Sequence, residues 1–354
     1  MSETTSPNIE SVCIAVDAMG GDFGPSEVIP ALDLVVKGRP DVFFLVYGDE
    51  DRITPYLSKY ETLKGRVTLI HTDKMIENDA KPSLVLRSSK GSSMRMAIEA
   101  VKDGKAHAVV SAGNTGALMA MAKIVLKTVP GIHRPAIASV MPGVNGTSVM
   151  LDLGANVLVD ADTLVQFAVL GSIFARAYKK ISRPSVGLLN VGSEDTKGPD
   201  HVRAAGTILS RIEFPGTYKG FVEGDDITKG VVDVIVCDGY AGNIALKTAE
   251  GVGKMMKQYI TQSFSSNPLA MIGGVFAYYS LRSLKKKLDP RLYNGGVFLG
   301  LNGLCIKSHG GADALGFSSA VIMAVRLARQ GYIDQVANDI SHLTEQETLL
   351  NQGT

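Results

Sequence analysis

The sequence predicts an α/β fold, doubly wound around a largely parallel sheet with helices on both faces. Short apolar runs rich in β-branched residues lack the polar alternation of a half-exposed strand, and segments of helical period separate most of them. No fixed-period repeat, low-complexity linker or Pro/Ser-rich break interrupts the pattern, which favours one continuous fold.

In chain order, the expected strands are "VCIAV" (12–16), "VFFLVY" (42–47), "RVTLI" (66–70), "AVV" (108–110), "AIASV" (136–140), "SVMLD" (148–152), "VGLLN" (186–190) and "VDVIVC" (232–237). Between them, "TGALMAMAKIVLK" and "DTLVQFAVLGSIFARAYKK" carry the helical period. A helix is expected from about Ala241 to Phe264, after which Asn267-Pro268 turns the chain. The reading is a single α/β domain over 9–338, with 241–290 as a helical hairpin and polar termini at 1–8 and 339–354.

A chain of 354 residues can bury a substantial core. It is 45% hydrophobic and 20% charged, and its 36 basic against 35 acidic residues leave no overall attraction to nucleic acid. Cys13, Cys237 and Cys305 each lie among apolar residues, without CxxC or Cys/His spacing, and read as core residues rather than ligands or disulfides. The start "MSETTSPNIE" lacks a signal-peptide pattern and no apolar run is long enough to span a bilayer, so the expected location is the cytoplasm.

Several strands end in small residues plus Asn or Asp just before a helix. "VDAMGGDFGP" supplies Asp17, Gly20, Gly21 and Asp22; "SAGNTGAL" supplies Gly113, Asn114, Thr115 and Gly116. "LDLGAN" supplies Asp152, Gly154 and Asn156; "NVGSEDTKG" supplies Asn190, Gly192, Ser193, Glu194 and Lys197; "CDGYAGN" supplies Asp238, Gly239, Gly242 and Asn243. In a parallel sheet these corners are expected along one rim, where helix N-termini and close backbone approach suit a phosphate-sized anion. Taken singly, each corner reads equally as a helix cap and a turn.

Near the end, "GLNGLCIKSHGGAD" places Lys307, Ser308 and His309 before a glycine pair and a helix. His309 suits proton transfer and Lys307 suits an anion, although a solvent-facing Lys and a backbone-bonded His fit the same spacing. The chain lacks GxxxxGK[ST], GxSxG, HExxH and a strand–GxGxxG–helix unit with its later acid, which disfavours a nucleotide phosphate loop, a covalent serine elbow, a zinc protease and a standard dinucleotide binder.

The stretch 265–290 is unusually greasy. Leu269, Met271, Ile272, Val275 and Phe276 precede Tyr278, Tyr279, Arg282, Lys285, Lys286, Lys287 and Arg291. Too short to cross a bilayer, it suits an interfacial dip into an anionic membrane, packing against a twin in a dimer, or docking of an acidic partner.

Taken together, "VDAMGGDFGP", "SAGNTGAL", "LDLGAN", "NVGSEDTKG", "CDGYAGNIALKTAEG" and "GLNGLCIKSHGGAD" resemble the bacterial fatty acyl-ACP:phosphate acyltransferases, from about Ile14 to about Arg329. The resemblance implies reversible transfer of a long-chain acyl group from the thioester of acyl carrier protein to inorganic phosphate, giving acyl-phosphate for phospholipid synthesis. It implies a fold like that of isocitrate dehydrogenases and phosphotransacetylases, a homodimer, no cofactor and no metal. With the greasy stretch 265–290, the expected setting is the inner face of the cell membrane, with a downstream membrane acyltransferase as a partner. Phosphate is then itself the nucleophile, to be desolvated, held and aimed. On this reading Gly113, Asn114, Thr115, Gly116, Lys307 and Ser308 bind phosphate, and His309 donates to the oxyanion or leaving sulfur. Asp238 and Asn243 orient these groups or the pantetheine, and Asp17, Gly20, Gly21, Asp22, Asn156, Asn190, Ser193, Glu194 and Lys197 line the cleft. The competing readings are a phosphotransacetylase-like enzyme using short acyl-CoA and a non-catalytic membrane scaffold.

Overall fold

The computed structural model describes residues 11–80, 82–287 and 289–341; the expected polar termini fall largely outside them. The chain opens with β1 (Val12–Asp17), α1 (Pro25–Gly38), β2 (Val42–Gly48), α2 (Glu50–Leu57), β3 (Val67–His71), α3 (Pro82–Ser88), α4 (Ser93–Lys102), β4 (Ala108–Ser111) and α5 (Thr115–Leu126). It continues through β5 (Ala136–Gly143), β6 (Gly146–Leu151), α6 (Ala161–Lys179), β7 (Ser185–Leu189), α7 (Asp200–Leu209), β8 (Thr217–Val222), α8 (Asp226–Lys229) and β9 (Val234–Val236). Three helices follow, α9 (Gly239–Ser265), α10 (Pro268–Phe276) and α11 (Tyr278–Lys287), then β10 (Gly296–Leu299), β11 (Leu304–Lys307) and α12 (Ala314–Arg329).

All eleven strands join one sheet in the order β3-β2-β1-β4-β11-β10-β5-β6-β9-β7-β8. Alternate residues of a buried strand point to opposite faces, so Ile14 and Val16 pack on one side and Ala15 on the other. The first face is covered by α1, α6 and α12, which bring Leu32, Phe167, Phe174 and Phe317 into one core. On the second face lie α4 and α5, with Met94, Ile98, Leu118 and Met121, while Ala241, Ala245 and Leu246 of α9 pack near Met150 and Ile235.

The expected α/β sheet is present, but its centre is antiparallel. β10 pairs antiparallel with both β11 and β5, and β5 pairs antiparallel with β6. Three reversals in succession turn β6, β9, β7 and β8 against the direction of β3, β2, β1, β4 and β11. The single rim expected from the sequence is therefore two. The corners after β1, β4 and β11 point one way and those after β6, β7 and β9 the other, but the register sets Leu151 of β6 and Val236 of β9 level with Ile306 of β11, so the two rims face each other across β10 and β5. β8, β10 and β11 were not among the expected strands: β8 carries Gly220 at φ 95, and the last two are four residues each in a glycine-rich stretch.

After α9 the chain turns at Asn267, which caps α10 by accepting from Ala270 N at 2.9 Å, and Pro268 opens that helix. α9 starts at the Asp152 end of the sheet and runs back antiparallel to β9. From Gly251 onward, α9 and α10 are almost wholly exposed.

Candidate active site

Three strand ends meet side by side at the Lys307 end, because the register pairs Ser111 with Asp17 on β1 and with Lys307 on β11. Asp17 is buried, and its carboxylate accepts from Ser93 Oγ and Ser111 Oγ, each at 2.7 Å, and from Met19 N at 3.3 Å. Burial pushes this carboxyl above the usual carboxylate range, and those donors pull against the shift. Ser111 Oγ in turn accepts from Gly113 N at 3.0 Å, so the acid on β1 sets the shape of the corner after β4.

Gly20 fits only because it has no side chain. A Cβ there would lie 2.6 Å from Gly113 N and 2.7 Å from Asp17 Oδ2. The β1 corner is thus laid against the backbone of the β4 corner, just before α5 begins. Asn114 caps α5 by accepting from Ala117 N at 2.9 Å, and its Nδ2 donates to Asn78 O at 2.8 Å and Ala80 O at 3.1 Å. Its side chain is a brace rather than a free ligand. Thr115 is exposed, and it and Gly116 stand in the first turn, where helical amides have no intrahelical acceptor.

Lys307 closes the arrangement from the β11 side. Nζ donates to Ala112 O at 3.0 Å and to Ser308 O, which leaves one of its three protons for a ligand. Burial pushes the Lys307 pKa down to about 8, with Lys247 of α9 adding to the fall and the charges of Asp17 and Asp22 opposing it. In the ligand-free protein the cation therefore persists below about pH 8 and is lost above it. An anion held by Lys307 is accordingly expected to bind more weakly as pH rises through this value. A Lys307→Arg variant, charged throughout, should lack that limb in a profile of anion affinity against pH.

Ser308 is fully buried and its hydroxyl accepts from Asn294 Nδ2 at 2.8 Å, so it faces the interior rather than an anion at the rim. The same Asn294 accepts from His309 N at 3.0 Å and fixes the loop. His309 is exposed, and Nδ1 accepts from Gly311 N at 3.0 Å. That bond places the proton of the neutral ring on Nε2, as a donor. Asp22 joins this edge through its backbone, Asp22 N donating to Gly310 O at 2.9 Å.

The other predicted residues gather on the far side of β10 and β5 and largely satisfy one another. Asp152 is buried and accepts from Ile137 N at 2.9 Å, Gly154 N at 3.3 Å, Ala155 N at 3.1 Å, Asn156 N at 2.6 Å and Asn156 Nδ2 at 2.9 Å. Asn156 O accepts from Gly239 N at 2.7 Å, and Asp238 caps α9 by accepting from Ala241 N at 2.7 Å. Asn243 packs beside Gly154. Asn190 is buried, donating to Lys197 O at 3.0 Å, while Lys197 pairs with Glu194 at 2.7 Å beside exposed Ser193. None of Asp238, Asn243, Asn156, Asn190, Ser193, Glu194 and Lys197 bonds to Lys307, whose ammonium donates to Ala112 O and Ser308 O, although Lys247, one turn beyond Asn243 on α9, is near enough to act on the Lys307 charge.

Sequence reading missed Ser93, Ser111, Asn78 and Asn294. Ser111 had a trace, a polar residue closing an apolar strand, whereas the other three act across long stretches of chain. Among the described residues, no group of three or more His, Cys, Asp or Glu is placed to hold a metal ion.

A family model described as "Fatty acid synthesis protein" matches residues 12–335. The phosphate acyltransferase of Rhodospirillum centenum is 51% identical over 334 residues, covering 94% of each chain, and that of Rhodospirillum rubrum is 50% identical over 331 residues, covering 94% of this chain and 95% of its own. This chain belongs to the phosphate acyltransferase family. The fold agrees. EutD phosphotransacetylase from Staphylococcus aureus superposes with a TM-score of 0.61 at 17% identity over 90% of this chain and 94% of its own, and a phosphotransacetylase from Streptococcus pyogenes with 0.58 at 16% over the same shares. A phosphate acyltransferase is an acyl-transferring enzyme of fatty acid synthesis, and the expected class of chemistry is the one found.

Proposed function

We propose that this enzyme transfers a long-chain acyl group from the thioester of acyl carrier protein to inorganic phosphate, at the end of the sheet where Asp17, Ser111 and Lys307 adjoin. What carries the reading is Lys307, a half-buried cation with one proton to spare, held beside the open first turn of α5. Phosphate occupies that corner, bound by the Thr115 and Gly116 amides, the Thr115 hydroxyl and Lys307. Asn114 and Gly113 shape the corner from behind.

A phosphate oxygen of HPO₄²⁻ attacks the thioester carbonyl, and the developing oxyanion is stabilised by nearby N–H donors or Lys307. The C–S bond breaks, His309 Nε2–H donates a hydrogen bond to the departing sulfur, and that sulfur takes up the proton the phosphate releases. The products are acyl-phosphate and the free thiol, and the step needs no redox cofactor. His309→Ala is expected to lower kcat roughly 10²- to 10⁴-fold in a folded protein. Turnover near that of wild type would remove His309 from the reaction.

The deciding measurement combines purified protein, palmitoyl-ACP and phosphate, and follows free carrier thiol and acyl-phosphate. Phosphate-dependent loss of palmitoyl-ACP is expected, with little from short acyl-CoA. Preference for acyl-CoA would favour the short-chain enzyme, and no phosphate-dependent product from either donor would overturn the reading.

We further propose that the hairpin touches an anionic membrane and packs against a second copy, which would set the enzyme on the inner face of the cell membrane beside a downstream acyltransferase. Among the described residues no helix is long and apolar enough to cross a membrane. Yet Leu269 is 81% exposed and Phe276 85%, with Met271, Ile272 and Val275 also open, an apolar surface suited to interfacial burial. Arg282 follows; the side chains of Lys285, Lys286 and Lys287 lie outside the described ones, and with Arg282 they are offered as contacts for lipid headgroups or the acidic carrier. Flotation with anionic liposomes is expected to carry the wild type, and its loss in Leu269→Glu/Phe276→Glu would locate the contact.

A further inference from the structure

A groove opens beside the proposed phosphate corner, on the β1 and β2 side of the Lys307 end. Met19, Phe23 and Met75 give it apolar surface, and Asp22, Glu77, Asn78 and Asp79 give it polar groups, with Arg52 its one cation. The wall formed by residues 75–79 is tied to the catalytic corner: Asn114 Nδ2 donates to Asn78 O at 2.8 Å, and Asn78 Nδ2 donates to Asp22 Oδ1 at 3.3 Å. Asp22 itself lies over the Gly310-Gly311 pair next to His309, and Gly21 backs onto Ala112, whose carbonyl holds Lys307. The groove therefore ends where a thioester would have to sit.

Its chemistry selects its occupant. A bare alkyl chain would strip water from Asp22, Glu77 and Asp79 without offering a single donor in return. A phosphodiester would meet three carboxylates against one guanidinium. A neutral chain carrying secondary amides fits both demands: its N–H groups donate to the carboxylates and its carbonyls accept from Arg52 and Asn78. Its methylene segments then lie on flexible thioethers that adapt to them. We infer that this groove receives the pantetheine arm of the acyl donor, with Met75, Arg52 and Asn78 as its positioning residues. The inference rests on the thioester-donor reading above and assigns the arm to the β1 and β2 side of the corner, away from Asp238 and Asn243.

Met75 is the residue to change, being 41% exposed and outside the core, so that a larger side chain fills the groove without unfolding the protein. An unreactive S-alkyl pantetheine thioether serves as the probe, titrated in the presence of phosphate by calorimetry against wild type, Met75→Trp and Met75→Leu, with phosphate binding measured separately. Met75→Trp is expected to weaken thioether binding at least tenfold, Met75→Leu to stay within about twofold of wild type, and phosphate affinity to be unchanged in both. Because the probe does not react, this result holds even if the protein shows no acyl transfer, which would sink only the reading of its function. Wild-type affinity for the thioether in Met75→Trp, or a parallel loss of phosphate affinity, would overturn the inference.

Discussion

Lys307→Met is expected to lower kcat/KM for phosphate by about 10²- to 10³-fold, the usual effect of deleting one pre-aimed electrostatic donor at a reacting group. The size follows from where the ammonium sits. Its two bonds to Ala112 O and Ser308 O hold it at the junction of two strand ends, so it does not have to be ordered when an anion arrives. Those same carbonyls lose a donor in the variant, and part of the defect is a looser corner. Lys307→Arg separates the two effects: it keeps the charge and should recover more of the phosphate affinity than Met does. A Lys307→Met enzyme with the wild-type KM for phosphate would show that the cation serves only to tie β4 to β11.

Asp152→Ala is expected to cost roughly 3–5 kcal/mol of stability, because five N–H donors lose one buried acceptor group. The donors are not independent, so the losses do not sum. The same corner is closed from outside by Gly242, where a Cβ would stand 1.9 Å from Asp152 O. Asp152→Asn should fall between, since its amide sets an NH₂ against existing donors. Urea unfolding checks this through a lower midpoint at an unchanged slope. The folded fraction of Asp152→Asn is expected to keep the wild-type KM for phosphate, because this carboxylate accepts only from Ile137 and from residues 154–156 and from none of the Lys307 corner. A shift below about 1 kcal/mol would mean that the donors find water or other partners instead.

The contrast between Lys307 and Asp152 shows what sequence could reveal. "SAGNTG" and "LDLGAN" look alike as text: each closes an apolar strand with small residues and an Asn before a helix. One borders an open cation and the other is a sealed joint. What separates them is the direction of β6, decided by the pairing of β10 with β5, which joins residues far apart in sequence, and by those of β10 with β11 and of β5 with β6, which lie in short or glycine-flanked runs. Strand existence was legible because burial on both faces leaves uninterrupted apolar runs. Strand direction was not, because it lives in the pairing. For the same reason Lys307 and His309 stood out as chemistry-bearing residues in a glycine-rich loop, while Asn294, which holds both Ser308 and the His309 backbone, left no local trace. Ser308 and Asn114 were read as ligands because their types suit anions; burial in one case and capping in the other commit their side chains elsewhere.

α9 has one further consequence. Its first turns are pinned to the sheet by Ala241, Ala245, Leu246 and Ala249, whereas its last turns meet only α10, at Phe264 beside Gly274, and Gly251 and Gly253 stand at the change with open space where a side chain would be. Glycine weakens a helix by about 1 kcal/mol relative to alanine, and two of them fall where packing no longer compensates. Backbone amides along this single helix should therefore exchange with deuterium on two timescales, slowly as far as Ala249 and quickly from Gly251 onward. On that result the helix would be a rigid post up to that point and a flexible wrist beyond it, able to set the greasy tip at different angles while the Lys307 corner keeps its shape.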